Sequence, residues 1–207
     1  MVVDGFVLAG STSRRFGCPK ALVELHGEPL ARRAARILGH VASRVAVVTT
    51  HPEWFQPWGL ETLADPEPDA GPLAGIVAGL ARAAGEWALF LPCDMPLVTP
   101  SYLERLASKA ALADGAVAAD ESGSYIPVLG CFRVPACRDV VYRLWAERNR
   151  RAAALVENGR LRILTVTPAE AGCGPEVLWD ADTPEELQRI ADLSRRLGGQ
   201  LERDLKS

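Results

Sequence analysis

Between Val7 and Lys20 the chain reads Val-Leu-Ala-Gly-Ser-Thr-Ser-Arg-Arg-Phe-Gly-Cys-Pro-Lys. Glycine, serine and threonine let a backbone approach a ligand closely and offer N–H and O–H donors. Arg14, Arg15 and Lys20 add positive charge that is costly to bury without an anion. A phosphate chain is the simplest partner for such a loop. Only three lysines (Lys20, Lys109, Lys206) accompany twenty arginines, so a lysine inside the loop is not background composition. The competing explanation is a polar surface turn that merely connects two elements.

Acidic residues supply the other half of such a site. Asp94 follows the strand Glu86-Trp87-Ala88-Leu89-Phe90-Leu91, apolar on both faces, where an unpaired carboxylate would be expensive. It either binds a divalent metal or caps a helix begun near Pro96. Mg²⁺ is the expected ion, because it commonly uses one or two carboxylates together with substrate phosphates. Asp65 either hydrogen-bonds a nucleotide or serves as a turn residue before Pro66. Gly71-Pro72-Leu73-Ala74-Gly75 either presents a helix N-terminus to a ligand or only starts and packs a helix. Asp182 reads as a cap of the last helix, with Asp180 facing the cleft. Arg150 and Arg151 either grip a second phosphate or are solvated. His26, His40 and His51 are scattered and support no triad. An aspartate beside Cys93 raises a thiol pKa and argues against a nucleophile.

These positions need elements to hold them. Val2 to Ala9, Val45 to Thr50, Leu60 to Leu63 and Glu86 to Leu91 read as strands. Helices are expected with Pro29 in the first turn and Gly39 at the end, and over Leu73–Leu80 and Ser101–Leu112. Trp54-Phe55 falls in a helix or loop. Further strands follow at Gly115–Ala119 and Ile126–Phe132, joined by a hairpin-like Asp120–Tyr125, and at Leu161–Thr167. Helices are expected at Asp139–Arg148 and Arg151–Glu157, and Thr183-Pro184-Glu185-Glu186 is a capping box opening the last helix. The alternation predicts a doubly wound α/β fold with a mainly parallel sheet and helices on both faces. Ligands in such folds sit at the carboxyl ends of strands, where the Gly10–Lys20 loop, Asp65 and Asp94 all fall.

The 207 residues fit a single domain with a sizeable core. A net charge of −3 gives no global field for nucleic acid. Five cysteines without a CxxC pair argue for a reducing cytosol and against a structural zinc site. No signal peptide or membrane-spanning run is expected, and the protein is placed in the cytoplasm.

The loop LAGSTSRRFGCPK is similar to the LAGG-x-S-x-R-M-G-x-D/P-K signature of Rossmann-like nucleotidyltransferases. GPLAGI, GEWALFLPCDMPLV, YIPVLGCF and DTPEEL, in that order and spacing, resemble the molybdenum-cofactor guanylyltransferase (MobA-like) branch. The likeness covers nearly the whole chain. It implies transfer of GMP from Mg-GTP to the terminal phosphate of molybdopterin, with release of pyrophosphate. It also implies cofactor-biosynthesis proteins and molybdoenzyme apo-proteins as partners. On matching positions Leu8, Ala9, Gly10 and Ser11 would lie against the nucleotide, with Gly71 beside it. Arg14, Arg15 and Lys20 would hold phosphates, Asp65 would contact the nucleotide and Asp94 would bind Mg²⁺. Ser11 replaces the second glycine of LAGG, Phe16 the usual methionine, and Thr49-Thr50 stand where an asparagine often contacts the nucleotide. Pro19 replaces an aspartate, as in cytidylyltransferase relatives, so CTP stands beside GTP. The same residues would also suit a sugar-phosphate nucleotidyltransferase or a non-catalytic cofactor-delivery protein.

The chemistry would be in-line attack of a substrate phosphate oxygen on the α-phosphorus. That nucleophile is already anionic, so it needs no strong base. Catalysis would rest on positioning and charge neutralisation by Lys20, Arg14 and Asp94.

Overall fold

The computed structural model describes residues 1–10, 15–65, 67 and 71–204. Apolar, β-branched runs form the strands that the sequence predicts. β1 (Val3–Leu8), β4 (Arg44–Thr49), β5 (Glu61–Ala64) and β6 (Trp87–Pro92) are joined by α1 (Leu30–Leu38) and α2 (Pro72–Arg82). A two-residue hairpin, β2 (Glu24–Leu25) and β3 (Glu28–Pro29), precedes α1. After α3 (Pro100–Ala110) come β7 (Gly115–Ala119), β8 (Tyr125–Arg133), α4 (Val134–Ala146), α5 (Ala153–Glu157), β9 (Ile163–Val166) and α6 (Pro184–Asp204).

One seven-stranded sheet has the order β5-β4-β1-β6-β8-β7-β9. Every pairing is parallel except those of β8, which runs antiparallel to β6 and β7. All six residues of β6 are buried, as a strand covered on both faces requires. Alternate residues feed two cores. Val3, Val7 and Leu91 pack with α1 and α3, while Phe6, Val48 and Phe90 pack with α2, α4 and α5. Gly79 of α2 is small for a reason: a Cβ there would lie 2.4 Å from Phe90.

The chain moves outward from β1 to β4 and β5, then returns over α2 to β6 on the other side of β1. This reversal opens a crevice at the carboxyl ends of β1 and β6. Beside it, the β7–β8 pairing jumps from Val117–Gly130 to Ala118–Ile126, leaving Pro127, Val128 and Leu129 as a bulge on β8. Proline has no N–H to give a ladder, so it fits there.

α6 docks through a small third core, in which Ile190, Ala191 and Ala181 pack with Leu25, Leu30 and Leu97. Its start is the expected capping box. Glu186 N–H donates to Thr183 Oγ1 at 3.2 Å, and Thr183 N–H donates to Glu186 Oε2 at 2.9 Å. Three expectations shift. The helix after β6 begins at Pro100, one residue ahead of the expected Ser101, with Thr99 as its cap, and no helix begins near Pro96 for Asp94 to cap. Pro29 sits just before α1 rather than in its first turn. α4 begins at Val134 rather than Asp139, because Pro135 in its first turn starts the helix instead of breaking it. Trp54-Phe55 lies in two short 3₁₀ turns at 52–58.

Candidate active site

Lys20 opens a 3₁₀ turn, Lys20–Leu22, closed by Leu22 N–H to Pro19 O at 2.9 Å. The turn buries the lysine stem, leaving the side chain 5% exposed. Its Nζ donates to Asp94 Oδ2 at 2.7 Å and also to Asp182 Oδ1. Asp94 stands two residues beyond β6, and the three segments are held by backbone bonds. Cys93 N–H donates to Leu8 O at 3.1 Å, and Ala181 N–H donates to Asp94 O at 2.8 Å. Arg33 of α1 clamps the same loop, Nε donating to Pro96 O at 2.7 Å.

Burial alone pulls the Lys20 ammonium down, but the charge of Asp94 and hydrogen bonds to Asp182 and Asp94 outweigh it. Lys20 is therefore held above the ordinary lysine range and is charged at neutral pH. Asp180 lies on the same segment. Burial first, then the charges of Asp182 and Asp94, raise its carboxyl above the usual range. One ammonium faces three carboxylates (Asp94, Asp180 and Asp182), a formal excess of two negative charges when all are ionised. That excess, made of hard oxygen donors, suits a hydrated divalent cation. Among the described residues no group of three or more His, Cys, Asp or Glu is placed to hold a metal ion by itself. Mg²⁺ does not require one, since phosphates and water complete its shell. Asp94 at 23% exposure and Asp182 at 47% remain reachable from the cleft. Burial, then the neighbouring Asp94, push the Cys93 thiol far up, so it is no nucleophile.

A second group of the expected site residues is built on β1 and β5. Ala9 N–H donates to Val48 O at 3.0 Å and Asp65 N–H to Thr49 O at 3.1 Å, which brings the two strand ends together. Gly10 faces Asp65: a Cβ there would lie 3.1 Å from Asp65 Oδ2. Leu8 turns its side chain against Gly75 of α2. Arg15 is exposed on the loop. Ser11 and Arg14 lie outside the described residues. The structure thus brings Lys20 to Asp94 and Gly10 to Asp65.

Other expectations are corrected. Asp94 caps no helix; its carboxylate goes to Lys20. Asp182 is not the cap of α6, because Thr183 fills that place and frees the aspartate to reach Lys20. The start of α2 does not leave all its donors open, since Leu73 N–H donates to Arg150 O at 3.3 Å. Gly71 is required twice over, by its φ of +88° and by a Cβ that would meet Arg150 O at 3.2 Å. Arg150 is neither solvated nor free for phosphate: its guanidinium lies 3.6 Å over the Trp145 ring and pairs with Glu67 at 3.0 Å. Asp182 is the site residue that sequence reasoning missed. Its available signal was two aspartates flanking an alanine on an extended segment, just ahead of a capping box.

The mostly parallel sheet with helices on both faces is the Rossmann-like fold found in nucleotidyltransferases of known structure. The chain belongs to the MobA-like NTP transferase domain family, whose model matches residues 5–163. It is 33% identical over 152 residues to a probable molybdenum cofactor guanylyltransferase of Geobacillus sp. (strain WCH70), covering 70% of this chain and 77% of that protein. It is 30% identical over 205 residues to a protein of the same name from Chloroflexus aggregans (strain MD-66 / DSM 9485), covering 92% and 94%. In structure it is similar to molybdopterin-guanine dinucleotide biosynthesis protein A of Archaeoglobus fulgidus, with a TM-score of 0.75 and 21% identity, covering 93% of this chain and 99% of that one.

Proposed function

We propose that this enzyme transfers GMP from GTP to the terminal phosphate of molybdopterin, forming the guanine dinucleotide cofactor and pyrophosphate. The observation that carries the reading is the buried Lys20 shared by Asp94 and Asp182 at the β1/β6 switch point. The names of relatives matched over most of the chain supply the base and the acceptor.

The acceptor's phosphate oxygen attacks the α-phosphorus, a new P–O bond forms, the bond to the β-phosphate oxygen breaks, and pyrophosphate departs. Lys20 and Arg15 hold the triphosphate, with Arg14 and Ser11 on the same loop. Leu8, Ala9, Gly10, Asp65 and Gly71 shape the nucleotide pocket. Asp94 and Asp182 would hold Mg²⁺, which, when bound, screens the charge that builds on the phosphates. The anionic nucleophile needs no base, so these residues work by positioning and charge neutralisation. The same reading makes residues 1–207 one cytoplasmic domain, serving the proteins that build the cofactor and the apo-molybdoenzymes that receive it.

Pyrophosphate release measured with GTP, CTP, ATP and UTP, with and without molybdopterin, tests this. Release with GTP and molybdopterin is expected. Release with CTP instead would make it a cytidylyltransferase, the arm that Pro19 raises. Release with a sugar phosphate in place of molybdopterin would move the acceptor. Nucleotide binding without release would make it a delivery protein.

A further inference from the structure

We propose that Arg150 is a positioning residue that fixes the nucleotide-side loop through Glu67 and Asp65. The proposal rests on the nucleotidyltransferase reading, in which Asp65 lies against the nucleotide.

The contacts form a continuous line. Trp145, at the end of α4, offers its ring face to the Arg150 guanidinium at 3.6 Å and its carbonyl to Nη1 at 2.9 Å. Those two contacts aim the other end of the fork, and Nη2 donates to Glu67 Oε2 at 3.0 Å. Glu67 in turn uses its backbone N–H on Asp65 Oδ1 at 3.3 Å. The other carboxylate oxygen of Asp65 faces Gly10 at the end of β1. Arg150 also holds the far end of the same loop, since its carbonyl accepts from Leu73 N–H and sits against Gly71. One residue of the C-terminal half therefore touches Glu67 with its side chain and Gly71 and Leu73 with its carbonyl. The left-handed φ of Gly71 turns the chain there without holding Asp65 or Glu67. That holding falls to Arg150.

The energetics separate this role from a structural one. Glu67 is 53% exposed and Arg150 30%, so their pair adds little to the stability of the fold. Holding Asp65 in place acts instead on affinity, because a side chain that must be immobilised at binding costs free energy there. Lysine could keep the charge but not the fork or the stacking, so Arg150→Lys is an intermediate case.

Equilibrium dialysis against GTP and CTP reads the proposal directly, with steady-state kinetics beside it. Arg150→Met is expected to raise the nucleotide Kd and KM roughly 5- to 30-fold, the combined scale of a stacked cation and one ion pair. Its kcat is expected to stay within about twofold, and its melting temperature near that of wild type. The swap Glu67→Arg with Arg150→Glu is expected to recover part of the lost affinity. Unchanged nucleotide affinity in Arg150→Met would overturn the positioning role while leaving the enzyme reading intact. A rise in KM for the acceptor alone would overturn it too, placing Arg150 in the acceptor site. Failure of the wild type to bind either nucleotide would overturn the reading beneath it.

Discussion

Two aspartates stand at opposite ends of the central strands, and they are satisfied in different ways. Asp4, near the amino end of β1, is 5% exposed, and its Oδ2 accepts from the N–H groups of Ala84 at 2.7 Å and Gly85 at 2.9 Å. Its partners are fixed parts of the backbone, and the contact pins the turn between α2 and β6. Asp94, beyond the carboxyl end of β6, has an ammonium as its partner, and Asp182 competes for that same ammonium. A change of partner at Lys20 would break no backbone bond. A carboxylate closed by backbone is fixed by the fold; one closed by a shared ammonium is held by a side chain that another anion could claim.

The comparison breaks first at Asp94. Asp94→Ala should lower turnover about 10²- to 10³-fold, on the scale of losing one preorganised charge-stabilising group. Pyrophosphate release at near-wild-type rate would remove Asp94 from the machinery. Lys20→Met should lose turnover on a similar scale and also lower the melting temperature, because it leaves Asp94 and Asp182 facing each other without their cation. Burial between two carboxylates makes Lys20 part of the packing of the fold.

Asp4→Ala should do the opposite. It removes the acceptor shared by the N–H groups of the exposed Ala84 and the half-buried Gly85, at about 1 kcal/mol of stability for each hydrogen bond, and should leave kcat of the folded fraction unchanged. Urea titration followed by turnover at low urea separates the two effects. A large loss of kcat without destabilisation would show that Asp4 reaches the site.

A smaller effect follows from pH. The folded-state pKa of Lys20 is raised above its ordinary value of 10.5. The stability this contributes is fully present below that value and is lost as pH rises through the folded-state pKa. The urea midpoint of wild type should therefore fall more steeply above about pH 10.5 than that of Lys20→Met. Parallel curves would show that the triad contributes no linkage. The smallest change is expected at the exposed Arg44–Glu61 pair beside Asp4, where Arg44→Ala should leave both melting temperature and turnover unchanged.

How much of this the sequence carried depends on the range of each signal. Strand β6 was plain from six apolar residues in a row, and the α6 start from Thr183, Pro184 and Glu186, all within four positions. The antiparallel β7–β8 pair was foreshadowed by the polar Asp120–Tyr125 turn. Lys20 and Asp94 were legible singly, because each breaks its local pattern. Their meeting with Asp182 was not. That contact spans 162 positions, and the capping signal beside Asp182 offered a sufficient local explanation for an aspartate there. Arg150 was misread for the same reason. An arginine in a charged stretch carries no mark of the tryptophan five residues earlier that aims it, or of the glutamate 83 positions away that it binds.

The family match ends at residue 163 and the strands of the sheet are complete by Val166, yet Asp180 and Asp182 come after both. They stand just ahead of α6, which seats Ile190 and Ala191 against Leu25 and Leu30. Two of the carboxylates around Lys20 therefore depend on a helix beyond the family match, and loosening that helix would loosen them.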